Sequence, residues 1–174
     1  MNARAASAAA RVVVPGLPED ALRDALAAFE GTWRRFEYKG KTRNGADVYD
    51  DYAHHPTAAR KTIAELRKKA QGKVYVAFHP HLFSRTRDLL PEFATAFGGA
   101  DKVLIAPIYA ARETDDGTMS NAILADAIRA NGVNAVPATF EEIEAAFASE
   151  PGEGDAIMLM GAGDIYKVAD RLVS

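Results

Sequence analysis

Three runs in this chain are apolar almost without interruption: Val74-Tyr75-Val76-Ala77-Phe78, Val103-Leu104-Ile105-Ala106 and Ala156-Ile157-Met158-Leu159-Met160. A strand with one face in water alternates apolar and polar residues, so runs without a polar face predict strands covered by helices on both sides, as in a parallel sheet. A weaker strand is predicted at Asn134-Ala135-Val136. Helical spacing fills the gaps. Thr57 opens a helix with Ala59, Ile63, Leu66 and Ala70 on one face and Arg60, Lys61, Arg67, Lys68 and Lys69 largely off it. Further helices are predicted over Leu89 to Phe97, with Pro91 in the first turn or at a kink, and around Ile123 to Ile128. Two more follow the capping box Thr139-Phe140-Glu141-Glu142 and run from Ile165 to Leu172.

Upstream the pattern changes. Arg35 to Lys39 alternates, Asn44-Gly45 is a hairpin turn signal, and Ala46 to Asp50 can return as the partner strand. Residues 3–13 read as an Ala-rich helix with no start signal, and Pro18 with Glu19-Asp20 opens a second helix for which Gly31 is the expected stop. The expected fold is α/β, a doubly wound and mostly parallel sheet with an N-terminal hairpin, preceded by a short helical remnant of a further domain.

Composition narrows the function. Lys and Arg are scattered at a net charge of −3, which leaves no basic stripe for nucleic acid. The absence of cysteine removes disulfides, thiolate metal sites and a thiol nucleophile, and it fits a cytoplasmic protein. Arg11 interrupts the Ala-rich opening before it reaches signal-peptide length, and no stretch approaches the roughly 18 apolar residues of a membrane span, so export and membrane insertion are not expected.

In doubly wound sheets ligands bind beyond the carboxyl ends of the strands. Asp50, Asp51, Tyr52, His54 and His55 follow the hairpin strand, His79, His81, Arg85, Arg87 and Asp88 follow the first apolar run, and Gly161-Ala162-Gly163-Asp164 follows the last. All four histidines therefore fall at one expected edge. Taken singly each residue has a plain reading: an Asp before a helix is usually a cap, a His beside a Pro a loop residue, and Gly-Ala-Gly a common strand-to-helix turn. Convergence from three junctions favours function. Arg85 and Arg87 suit a carboxylate or phosphate, and backbone N–H groups of Gly161 to Asp164 suit an oxyanion. Asp50 or Asp51 can accept from a ribose or fix a cation or amine, and His54 titrates near neutrality and can shuttle protons. Zinc held by His54, His55, His79 and His81 is disfavoured, because adjacent histidines rarely point to one metal; no metal site is expected.

Asp50-Asp51-Tyr52-Ala53-His54-His55-Pro56-Thr57, His79-Pro80-His81-Leu82-Phe83-Ser84-Arg85-Thr86-Arg87-Asp88 and Gly161-Ala162-Gly163-Asp164-Ile165 together resemble the C-terminal domain of the Mur ligases. The second and third motifs are most similar to the branch that joins L-alanine to UDP-N-acetylmuramate, and Gly31-Thr32-Trp33-Arg34-Arg35-Phe36 resembles the family's junction between central and C-terminal domains. The resemblance implies an ATP-dependent, amide-forming ligase of peptidoglycan synthesis. ATP phosphorylates the sugar carboxylate, the amine of L-alanine attacks the acyl phosphate, and Mg2+ assists. It places Arg35 and Asp51 at ATP, Tyr52, His54 and Arg85 at the amino acid and acyl phosphate, and Gly161, Gly163 and Asp164 along the same cleft. Leu82 stands where some relatives carry a further Arg, so one carboxylate contact is either absent or supplied by another group, for which Arg87 is the candidate.

No Gly-x-x-x-x-Gly-Lys-Ser/Thr phosphate loop occurs in the sequence. The expectation is a fragment, with residues 1–31 the tail of a central ATPase domain and 32–174 a C-terminal domain. Its N-terminal and central domains, which bind most of the ATP and Mg2+, lie outside the sequence, and the fragment is inactive alone. The alternatives are a stand-alone module binding a nucleotide or nucleotide sugar, and a metal-dependent hydrolase using the histidines.

Overall fold

The strands of the computed structural model are β1 (Glu37–Lys41), β2 (Asp47–Asp51), β3 (Val74–His79), β4 (Lys102–Ile105), β5 (Ala135–Pro137) and β6 (Ala156–Gly161). They form one six-stranded sheet in the order β1-β2-β6-β3-β4-β5. β1 pairs antiparallel with β2 through the Asn44-Gly45 hairpin, and every other pair is parallel. Residues 2–29 and 31–173 are described; Met1, Glu30 and Ser174, which fall within the expected domain bounds, lie outside the described residues.

The continuously apolar runs are buried on both faces because successive strand residues point to opposite sides. Val74, Val76 and Phe78 pack with Ile63, Phe93, Phe97 and Leu124 on one face. Tyr75, Ala77, Leu104 and Ile157 pack with Ile143, Phe147 and Val168 on the other. The first face is covered by α3 (Pro56–Lys69), α4 (Phe83–Asp88), α5 (Leu90–Ala94) and α6 (Asn121–Arg129), the second by α7 (Phe140–Ser149) and α8 (Tyr166–Leu172). Steps from β2 to β3, β4 and β5 cross in one direction on the first face, and the return from β5 to β6 crosses on the second. This keeps one hand throughout, as the preference for right-handed crossovers requires. Loops leaving β2 and β3 therefore part from the loop leaving the intervening β6, which opens a crevice on each side of β6 at the carboxyl edge.

Local signals explain most boundaries. Thr139 accepts from the Glu142 N–H while Glu142 accepts from the Thr139 N–H, completing the capping box of α7. Pro56 occupies the first turn of α3, and Arg67, Lys68 and Lys69 fall in its last turn, where cations suit the helix dipole. The helix expected over Leu89 to Phe97 is instead two short ones. Pro91 has no N–H to extend a helix backwards, and the chain breaks at Leu89, with φ −108° and ψ 19°.

Two compact units divide the chain, Met1–Thr32 and Trp33–Ser174. In the first, α1 (Asn2–Val13) and α2 (Glu19–Ala27) are linked by an ion pair between Arg11 and Glu19. α2 ends at Ala27, short of the Gly31 stop expected from sequence; Phe29 is 65% exposed, so no burial supports a further turn.

Candidate functional site

Asp50, the fourth residue of β2, is buried and meets a residue that the sequence pattern did not single out. Arg34 donates from Nε to Asp50 Oδ2 at 2.8 Å and from Nη2 to Oδ1 at 3.3 Å, and only 2% of Arg34 is exposed. It also donates from Nη1 to the Gly163 carbonyl at 3.0 Å and from Nη2 to the Gly161 carbonyl at 2.6 Å. Burial pushes the Asp50 carboxyl up from its ordinary value, and the Arg34 guanidinium opposes that shift. The Arg34 carbonyl accepts from the Tyr52 N–H at 2.8 Å, and its guanidinium carbon lies 5.3 Å from the Tyr52 ring centre. One arginine thus joins the end of β2, the turn after β6 and the Tyr52 ring, at a backbone φ of +54° that non-glycine residues rarely adopt. A Gly-x-Gly turn whose carbonyls need a donor, together with an unassigned Arg and Asp, was the signal for it.

Asp51 is equally occupied. Its carboxylate accepts from the N–H groups of Ala53 at 2.9 Å and Phe36 at 3.1 Å and from the Thr62 hydroxyl at 3.2 Å. It also borders a cavity of about 340 Å3 with Phe36, Lys61 and Thr62. Arg35 is exposed, with its guanidinium carbon 5.6 Å from the Tyr52 ring centre. His55 caps α3, its Nδ1 accepting from the Thr57 N–H at 3.3 Å. His54 differs: its Nδ1 lies 2.9 Å from the Tyr52 carbonyl. A carbonyl only accepts, so Nδ1 carries the proton and the Nε2 lone pair of the neutral ring is left for a ligand.

At the end of β3, His79 is buried beneath the glycine turn. A Cβ on Gly163 would lie 2.4 Å from His79 Cε1, and one on Gly161, at φ +150°, would lie 2.6 Å from the His79 carbonyl. Close approach to His79 accounts for these glycines, whose carbonyls accept from Arg34. The helix expected to open there begins at Tyr166, beyond Asp164. Burial holds the His79 imidazole pKa down at about 4, and its Nδ1 has no hydrogen-bond partner among the described residues.

His81 lies two residues further on and meets other groups. Its ring lies 5.9 Å from the His54 ring and 5.4 Å from that of Tyr109, and Arg85 Nη1 lies 3.3 Å from its Nδ1. A guanidinium only donates, so His81 Nδ1 accepts; burial first, then Arg85 and His54, holds its basicity below the ordinary imidazole value. Tyr52, His54, His81 and Arg85 thereby form one chain of contacts across the ends of β2 and β3. Sequence reasoning placed His81 at the edge without giving it a role. Arg87, two residues after Arg85 on a six-residue helix, points elsewhere and donates to Asp116 and Thr118, each at 3.2 Å. Glu113 accepts from the Ser84 hydroxyl and, at 3.0 Å, from the Ser84 N–H, which ties the loop after β4 to the start of α4. Among the described residues no group of three or more His, Asp or Glu is placed to hold a metal ion, and no helix is long and apolar enough to cross a membrane.

The family described as Mur ligase, glutamate ligase domain, matches residues 34–163. The chain belongs to that family. The UDP-N-acetylmuramate–L-alanine ligase of Mycolicibacterium smegmatis is 45% identical over 177 residues, covering 100% of this chain and 36% of the relative. That of Clostridium acetobutylicum is 40% identical over 171 residues, covering 98% and 37%. The chain thus spans little more than a third of the length of these Mur ligase relatives, 36% and 37%. Among solved structures, the UDP-N-acetylmuramate–alanine ligase MurC of Thermotoga maritima superposes with a TM-score of 0.73 at 25% identity, over 91% of this chain and 33% of that one. A murein peptide ligase from Psychrobacter arcticus gives 0.64 at 26%, over 87% and 32%.

Proposed function

We propose that residues 32–174 are the C-terminal domain of an ATP-dependent ligase joining L-alanine to UDP-N-acetylmuramate in peptidoglycan synthesis in the cytoplasm. Residues 1–31 are the tail of its central ATPase domain. ATP activates the UDP-N-acetylmuramate carboxyl as an acyl phosphate, and this domain closes over the nucleotide and the amino acid. Arg85, held by His81, takes the carboxylate of L-alanine. His54 Nε2 takes the proton that the alanine ammonium must lose. The freed amine attacks the acyl carbon, the C–N bond forms, the bond to the phosphate oxygen breaks, and phosphate leaves. Tyr52, Gly161, Gly163 and Asp164 line that cleft. Arg87 contributes a carboxylate contact only by giving up Asp116.

Arg35 and Asp51 face the nucleotide. A carboxylate offers about four lone-pair positions, so Asp51 can still accept from a ribose hydroxyl with its three protein donors in place. Among the described residues of this chain no three are placed to hold Mg2+, which would be bound mainly by the central domain.

The convergence of His54, His81 and Arg85 from two strand ends, in a chain whose relatives are named for joining L-alanine, carries this reading. It is tested by phosphate release. The ligase carrying this domain should require ATP, UDP-N-acetylmuramate and L-alanine together, and the 174-residue chain alone should release none. Turnover by the isolated chain, or indifference to L-alanine, overturns it.

A further inference from the structure

On the α7 side of the sheet lies a pocket of about 510 Å3, open to solvent, whose walls include His79, Ile108, Tyr109, Phe140, Glu141 and Asp164. Its volume falls within the range of about 300–1,000 Å3 typical of small-molecule sites, many times what the methyl group of alanine occupies. Tyr109 borders that pocket, and its ring meets His81 at 5.4 Å and His79 at 5.8 Å between ring centres. The main chain fixes that position: the Tyr109 N–H donates to the Pro80 carbonyl and its carbonyl accepts from the Leu82 N–H, each at 2.9 Å. These bonds hold the main chain at residue 109 whatever side chain it carries, so replacing the 46% exposed ring leaves the backbone tied.

We infer that Tyr109 is a specificity-determining residue, the side chain that separates the space beside His81 from this pocket and limits how far an amino-acid side chain can extend towards it. This rests on the assignment of the amino acid to His54 and Arg85. A bulkier side chain meets the Tyr109 ring in the native protein and enters the pocket once that ring is removed. The pocket also carries a charge preference. Glu141 and Asp164 line it, Asp164 also paired with Lys167 Nζ at 3.0 Å, so apolar or cationic side chains are admitted more readily than acidic ones.

The experiment compares L-alanine, L-leucine, L-lysine and L-glutamate as substrates of the ligase carrying this domain, as wild type, Tyr109→Phe and Tyr109→Ala. In Tyr109→Ala the ratio of kcat/KM for leucine to that for alanine should rise by about tenfold or more, the discrimination a few methylenes provide in a fitted pocket. Lysine should gain as leucine does, glutamate should not, and Tyr109→Phe should keep the wild-type order. A cooperatively melting Tyr109→Ala protein with wild-type ratios overturns the inference while leaving the alanine site standing. Wild-type enzyme that ignores L-alanine overturns the assignment beneath it instead. Should Tyr109→Ala lose its cooperative melt, Tyr109→Leu, which keeps an apolar side chain but loses the outer half of the ring, gives the same two readings.

Discussion

The guanidinium of Arg34 and the carboxylate of Asp50 meet at 2.8 Å with both side chains almost wholly out of water, 3% and 1% exposed. Removing either partner leaves the other charged and buried. Arg34→Met should therefore destabilise the protein by about 3–5 kcal/mol, read as a fall in the urea midpoint. Arg34→Lys should recover only part of it, because an ammonium cannot span Asp50 and two carbonyls at once. A loss below about 1 kcal/mol, the range of an exposed pair, would show that this arginine does not hold the β2 end to the glycine turn.

Gly163→Ala places a methyl group 2.4 Å from the His79 ring. The expected cost is about 1–3 kcal/mol, that of overpacking a filled interior. In a His79→Ala background most of it should vanish, with a coupling of about 0.5–3 kcal/mol in a double-mutant cycle. Additive losses would place the clash elsewhere.

His79 makes stability depend on pH. Its folded value, near 4, lies below the 6.5 of the free side chain because burial penalises the charged ring. Above 6.5 neither state holds the proton. As the pH falls from 6.5 towards 4 the unfolded chain takes up a proton that the folded one refuses, so stability drops, by about 3 kcal/mol when the fall is complete. In NMR the His79 ring should stay neutral at pH 5.5, and His79→Phe should flatten this part of the stability profile. A His79 midpoint near 6.5 would refute it.

Arg85→Ala in the ligase should raise KM for L-alanine by about 10- to 100-fold, the worth of a charge-assisted hydrogen bond, with a smaller change in kcat and an unchanged melt. An unchanged KM removes Arg85 from the amino-acid carboxylate.

Much of this architecture was readable because one force dominated each stretch. Val74 to Phe78 and Ala156 to Met160 have nowhere to go but the middle of a covered sheet, Asn44-Gly45 is a hairpin turn by backbone preference, and Thr139 with Glu142 completes a local cap. The carboxyl-edge rule then placed His54, His81 and Arg85 at the same rim. What sequence spacing could not provide were contacts between distant residues. Gly161 and Gly163 read as an anion-binding turn, yet their carbonyls serve Arg34, 127 and 129 residues earlier. Asp51 read as a cap or a ligand contact, and it gathers donors from Phe36, Ala53 and Thr62, two of them more than ten residues away. Arg85 and Arg87 looked equivalent until the helix turned them to different neighbours.

β6 lies between β2 and β3 although more than a hundred residues of synthesis separate it from β2. A nascent chain that has emerged only as far as residue 150 carries the hairpin and the β3-β4-β5 ribbon with a strand-wide gap between them, and Arg34 has neither glycine carbonyl to hold. Neither rim of the cleft can set before β6 slides into that gap, so assembly waits on contacts of long sequence separation, the slow kind. A ribosome stalled before residue 156 should therefore display two protease-sensitive pieces, and one advanced far enough to release β6 and α8 a single resistant body.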